Sequence, residues 1–191
     1  MSKVKKFIFL ILIIAYPLSY LHSTENYLIP DSFVSQFAGY IGFLSVGVGY
    51  EINDTVQTEF LYGFVPSSLA GIDIHLVTAR AIISPVIITI LPGYYFYPLS
   101  FGFFINYAIG EQYHVKWPEK YPERYYRPNA IFTGESLGLR LKKEYSGEII
   151  KGFEFFIDLV TMTVFLYDYI QNEDIESMDI VSLGFGTRLY F

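Results

Sequence analysis

The sequence predicts an all-β fold: an antiparallel transmembrane β-barrel, most simply of eight strands running up and down. Three observations lead there. Apolar and polar residues alternate with period two along segment after segment, where helical spacing at i, i+3 and i+4 does not fit. The apolar face carries large aromatics while the opposite face carries Gly, Ser and isolated charges. Beyond the N-terminal region, no apolar run is long enough to form a membrane-spanning helix.

Composition bounds the reading from another side. Of 191 residues, 52% are hydrophobic, 19% aromatic and only 17% charged, which argues against disorder. A formal net charge of −6 lacks the basic footprint of a nucleic-acid binder. With 0 Cys there is no disulfide framework, thiolate metal site or cysteine nucleophile.

The first segment is set apart from the fold. Lys3, Lys5 and Lys6 precede an apolar run from Phe7 to Ala15, which Pro17 interrupts before Ser19 and Ser23. This pattern predicts a secretory signal peptide over 1–23, leaving 24–191 as the barrel domain. A retained membrane anchor is the alternative. Removal of 1–23 takes away three lysines and no acidic residue, so the exported chain is more acidic still.

Strands are expected at 32–39, 42–52, 55–66, 72–85, 94–110, 128–144, 151–170 and 179–191. In the second, Leu44, Val46, Val48, Tyr50 and Ile52 face one way and Ser45, Gly47, Gly49 and Glu51 the other. In the third, Val56, Thr58, Phe60, Tyr62 and Phe64 oppose Gln57, Glu59, Leu61 and Gly63. The run Gly93-Tyr94-Tyr95-Phe96-Tyr97-Pro98 suits an interfacial aromatic girdle at a strand end. In the seventh, Phe153, Phe155, Ile157 and Leu159 oppose Glu154, Phe156 and Asp158. In the last, Val181, Leu183, Phe185, Thr187, Leu189 and Phe191 oppose Ser182, Gly184, Gly186, Arg188 and Tyr190. A soluble sandwich also alternates, but mid-strand glycines cost stability there, whereas in a narrow barrel they relieve crowding in the lumen. The least regular stretch is Ser84 to Pro92, read as a connection or as continuing strand. Six or ten strands are the alternative counts.

The closing segment Ser182-Leu183-Gly184-Phe185-Gly186-Thr187-Arg188-Leu189-Tyr190-Phe191 resembles the C-terminal signature of bacterial outer-membrane β-barrel proteins. In size the chain resembles the small eight-stranded class typified by OmpX and the OmpA membrane domain. The resemblance implies integral insertion in the bacterial outer membrane, with both termini in the periplasm. It also implies recognition of the terminal Phe by the barrel-insertion machinery. Strand parity then places the segments near 66–72, 111–128 and 171–179 outside, and the Asn53-Asp54 and Tyr145-Ser146-Gly147 turns in the periplasm.

Alternation also sends charge inward. Glu51, Glu59, Arg140, Glu154, Asp158 and Arg188 are expected to form a lumen network, because Arg facing hydrocarbon costs about 2–4 kcal/mol near the midplane. A salt-bridged plug is favoured over an ion path or a catalytic carboxylate group, since eight strands enclose a bore only wide enough for side chains. Asp73, His75 and Arg80 do not share one face, so a β-bulge near Val77 is expected if all three are internal.

Function is less legible. A structural or surface-interaction role is expected, carried by the loop Glu111–Asn129. There Lys116, Lys120, Arg124 and Arg127 interleave with Tyr113, Trp117, Tyr121, Tyr125 and Tyr126. Aromatic stacking and cationic groups suit sugar rings and anionic phosphate, hence lipopolysaccharide or a glycan. A self-packed cap at the headgroup level is the plainer reading of the same residues. The acidic residues Glu173, Asp174, Glu176 and Asp179 are candidates to pair with those cations or to hold Ca²⁺ or Mg²⁺. The alternative function is a lipid-modifying barrel enzyme, an acyl hydrolase or acyltransferase, using His75 with Asp73, which share a strand face at i and i+2. No adjacent serine motif supports it. A small-solute pore is third. Outer-membrane lipids are the expected partners of a monomer; no cofactor, metal-ligand cluster or nucleic acid is implied.

Overall fold

The computed structural model describes residues 29–115, 128–172, 174 and 176–191. The segment read as a signal peptide lies outside the described residues. Nine strands follow in order: β1 Ser32–Ala38, β2 Leu44–Asn53, β3 Val56–Val65, β4 Ile74–Ile83, β5 Ile88–Leu91, β6 Tyr94–Ile109, β7 Ile131–Glu144, β8 Gly152–Met162 and β9 Val181–Tyr190. Two helices, α1 Ser67–Ala70 and α2 Thr163–Gln171, lie between strands. No helix among the described residues is long and apolar enough to cross a membrane, a statement that does not bear on strands.

Eight of these strands close into an antiparallel barrel. β1 pairs with both β2 and β9, and closure is completed by β4 with β6, from His75↔Ile109 to Ile83↔Phe101. Every barrel strand therefore has two neighbours, which removes the open edges that a sheet would otherwise expose. β5 is the exception. It pairs only with the start of β6, Ile88↔Phe96 and Leu91↔Tyr94, around a Pro92-Gly93 turn in which Gly93 has φ of 78°. The irregular stretch 84–92 is thus an extension of the β4–β6 hairpin beyond the barrel wall, and the barrel count is eight.

The expected strand faces hold in three dimensions. In β8, Glu154, Phe156, Asp158 and Val160 are buried, while Phe155 and Leu159 are exposed on the outer wall. Along β9, Gly184, Gly186, Arg188 and Tyr190 face in, and Leu183, Phe185 and Leu189 face out. The outer wall continues with Val46, Phe60, Val77, Phe101, Phe103, Ile105, Leu137 and Leu139, all exposed. The outer wall is apolar, while buried charged side chains lie inside the barrel beside a small apolar cluster.

Three expectations are corrected. β4 runs in unbroken register against β3 from Val65↔Ile74 to Val56↔Ile83, so there is no bulge near Val77. Arg80 faces in and His75 faces out, as plain alternation requires. Tyr97, assigned to an outer girdle, is buried opposite Arg140 because the β6–β7 register shifts between Tyr97 and Ser100. The strand expected over 151–170 ends at Met162 and continues as α2. Its last partners are Gly134 on β7 and, at Thr161, Val181 on β9. On the β9 side pairing stops at Thr161, so past Met162 the chain has lost one of its two strand neighbours and makes its backbone hydrogen bonds within a helix.

The chain ends of the barrel, the Asp54–Thr55 turn, the β5 hairpin and the 145–151 turn share one rim, called here the terminal end. At the other rim, the loop end, lie residues 39–43, 66–73, 110–115, 128–130, 163–172, 174 and 176–180.

Candidate functional site

Seven side chains fill the middle of the lumen. Arg80 donates to Glu59 (Nε–Oε2 2.6 Å) and to Asp158 (3.2 Å). Arg140 bridges Asp158 and Glu154, both at 3.4 Å. Arg188 closes the circuit by pairing with Glu154 and Glu59. The result is a six-membered ring in which cations and anions alternate, each joined to two of opposite sign. Phe156 occupies its centre, with the three guanidinium carbons 5.0, 5.4 and 5.5 Å from the ring centroid. All seven residues are at most 3% exposed.

Local sequence explains how this fits. Glu59↔Arg80 and Glu154↔Arg188 are direct cross-strand partners, and Phe156 lies opposite Gly186. A Cβ on Gly186 would meet Phe156 Cζ at 2.5 Å, and one on Gly138 would strike the Asp158 carboxylate. Inward glycines make the room that the large side chains take. Burying ions is costly unless each is paired and hydrogen bonded, and the closed ring leaves three positive and three negative groups mutually neutralised. Tyr190 adds a hydroxyl bond to Glu154 at 2.9 Å. Chemically, this is a plug.

Five of the six residues expected in the lumen network are in the ring. Glu51 is not. It stands nearer the terminal end, partly exposed, where Lys142 Nζ reaches it at 3.0 Å and Gln57 at 3.2 Å. Lys142 also lies 4.2 Å over the Tyr190 ring, and this group lines a polar vestibule of about 400 Å³ with Asp31, Glu144 and Lys151. Arg80 takes the sixth place. The sequence carried a signal for it: four inward acids, Glu51, Glu59, Glu154 and Asp158, against only Arg140 and Arg188 left two cations to be found, which are Arg80 and Lys142.

At the loop end, the β1–β2 connection folds back into the mouth. Ala38, Gly39 and Tyr40 are consecutive residues in the left-handed region, with φ of 60, 79 and 61°. For Ala38 and Tyr40 that conformation is strained and must be held by its surroundings. Asn106, fully buried on β6, donates to the Tyr40 carbonyl at 2.8 Å and accepts from Thr78 at 2.7 Å. Ser45 donates to the Ile41 carbonyl at 2.8 Å, and that carbonyl sits over Gly63 where any side chain would clash. Ile41 is 1% exposed and packs with Val34, Leu61, Phe104, Phe156 and Val160. The Tyr40 ring meets Phe165 of α2 edge-on at 5.7 Å, and burial pushes its phenol above the ordinary value. Between this connection and the strand ends lies a cavity of about 400 Å³.

The catalytic candidates are not brought together. Asp73 accepts from the Ser67 backbone N–H at 2.6 Å, tying down α1. His75 lies on the outer wall, where its Nδ1 is 2.5 Å from the Tyr62 hydroxyl and its ring packs on Phe64. No serine bonds His75, and no bond joins it to Asp73, among the described residues. Glu176 and Asp179 form a reciprocal capping box on a 3₁₀ turn, and no cluster of metal-ligating side chains occurs among the described residues.

Of the loop candidates, Lys116, Trp117, Lys120, Tyr121, Arg124, Tyr125, Tyr126 and Arg127 lie outside the described residues. The loop's base is described. His114 and Asn129 clasp it: the His114 backbone N–H donates to Asn129 Oδ1 at 2.7 Å, and the Asn129 N–H to the His114 carbonyl at 3.1 Å.

Fold and site together define an eight-stranded β-barrel with a charge-plugged lumen. Comparison with protein-family models, curated proteins and solved structures finds no match to this chain.

Proposed function

We propose that this chain is an integral outer-membrane β-barrel whose closed lumen is structural and whose function is interaction at the cell surface. The observation that carries this reading is the inverted distribution of side chains. Seven buried ions, the six of the ring and Lys142, lie inside, while the wall outside is rich in Phe, Val, Ile, Leu and Tyr. An exposed apolar surface of that extent is stable in hydrocarbon, whereas in water it would drive aggregation. In this reading the terminal end faces the periplasm and the loop end faces out. The loop 111–129 then offers its cations and aromatics to lipopolysaccharide phosphate or to a glycan. The filled ring weighs against a pore, and the outward, Tyr62-bonded His75 weighs against a hydrolase.

Refolding into detergent and comparing gel migration with and without boiling tests the membrane assignment. A heat-modifiable band and a detergent requirement are expected; a barrel that stays monomeric in plain buffer overturns it. For the surface role, reversing Lys116, Lys120, Arg124 and Arg127 together should weaken lipopolysaccharide binding while leaving the heat-modifiable band intact. Unchanged binding would leave the loop a cap.

A further inference from the structure

We propose that the loop-end cavity is a binding site for one hydrocarbon chain of a single-chain amphiphile, a fatty acid or lysolipid, with its polar head at the rim. The cavity of about 400 Å³ lies within the range of small-ligand sites, and such sites are usually largely pre-formed. Its walls come from separate elements: Leu69 of α1, Ile74 and Leu76 of β4, Ala108 of β6, Phe132 of β7 and Met162 of β8. The roof is the strained Ala38–Phe43 connection. An open barrel mouth facing water would be lined with polar groups, yet this one is predominantly apolar.

The polar groups present are few and differently placed. Asn106 has both ends of its amide engaged, with Thr78 and with the Tyr40 carbonyl, so it fastens the roof and asks nothing of a ligand. Tyr113 and Ser182 also line the cavity and bring hydroxyl groups. The pocket is open at the rim, and water against its apolar wall finds few polar partners, so hydrocarbon displaces it favourably. Hydrocarbon with a hydrogen-bonding head matches the lining. The left-handed Ala38 and Tyr40 set the path of the connection that forms one side of the pocket. The source of the chain is the surrounding bilayer, so the inference rests on the membrane reading above.

The test is titration of the refolded full-length barrel in amphipol with dansyl-undecanoic acid, whose fluorescence rises in an apolar site. Saturation near one probe per barrel is expected. Ala108→Phe, which fills the cavity, should weaken binding at least tenfold. Ala79→Phe, placed on the outer wall of β4, should leave it unchanged. Leu69→Trp narrows the pocket's rim from a loop helix, leaves the barrel wall untouched, and should also weaken binding should Ala108→Phe fail to fold. Uptake that never saturates, or saturable binding equal in the parent and the filled variants, overturns the proposal. Heat-modifiable migration is read on the same samples. A folded barrel with the heat shift but no saturable site fails only this inference, whereas loss of the shift in the parent fails the membrane reading.

Discussion

Phe156 sits where three guanidinium groups converge, and each of the six ions around it has two partners of opposite sign. Removing one member is therefore worse than losing one bond. Glu154→Ala would strip an acceptor from Arg140, Arg188 and Tyr190 together. Breaking a buried pair in this way costs about 3–5 kcal/mol, which urea unfolding of the barrel in lipid vesicles would register. Phe156→Ala should cost a similar ~3–5 kcal/mol, through the cavity it leaves and the lost cation–π contacts. Glu51→Gln gives the contrast. Its pair with Lys142 is partly exposed, and its loss should change stability by less than about 1 kcal/mol. Equal effects of Glu51→Gln and Glu154→Ala would mean that the ring is not the stabilising centre of the lumen.

The turns and short elements carry their own chemistry. Asn53 Oδ1 accepts from the backbone N–H groups of Thr55 and Val56, both at 2.9 Å, and from the Thr55 hydroxyl. Asn53→Ala removes all three and should cost about 1–2 kcal/mol in the same unfolding measurement, since exposed groups recover water as a partner. At the other rim, Gly63→Ala places a methyl group where the Ile41 carbonyl lies. The barrel strand itself tolerates alanine, so the β1–β2 connection should yield. Faster proteolysis near Tyr40 and Ile41, with the heat-modifiable band retained, is the expected result. The β5 hairpin is separable from the barrel. Deleting 88–91 leaves the β4–β6 register from His75↔Ile109 to Ile83↔Phe101 untouched, and closure should survive.

Closure makes the whole molecule one cooperative unit. β9 is the sole barrel partner joining β8 to β1, so deleting 181–191 exposes two edges at once. Such a truncation should lose the heat-modifiable band altogether, unlike the β5 deletion. The same closure, with the ring across its middle, predicts that planar bilayers containing the barrel show no steady ion conductance. A stable single-channel current in the parent protein would show that the ring opens.

The sequence by itself determined the all-β class, the approximate places of the strands with eight favoured over six or ten, and the inward direction of five of the six ring ions. Period-two alternation is a property of each strand alone, and it reads out as soon as the strand is recognised. The residues that departed from it show where that logic stops. Arg80 was obscured by grouping it with Asp73 and His75, which belong to a loop and to the outer wall. Tyr97 turned inward because a register shift between two strands is not written in either strand separately. Residues 163–170 became helix where pairing with β9 stops at Thr161, a fact about a partner and not about the segment. Only the tertiary structure decided that Arg188 meets Glu59 and Arg80 meets Asp158, pairs made across the bore once β4 and β6 close it. It alone also placed the strained 38–43 connection over the loop-end cavity. Local patterning fixes which way a side chain points; closure fixes what it meets there.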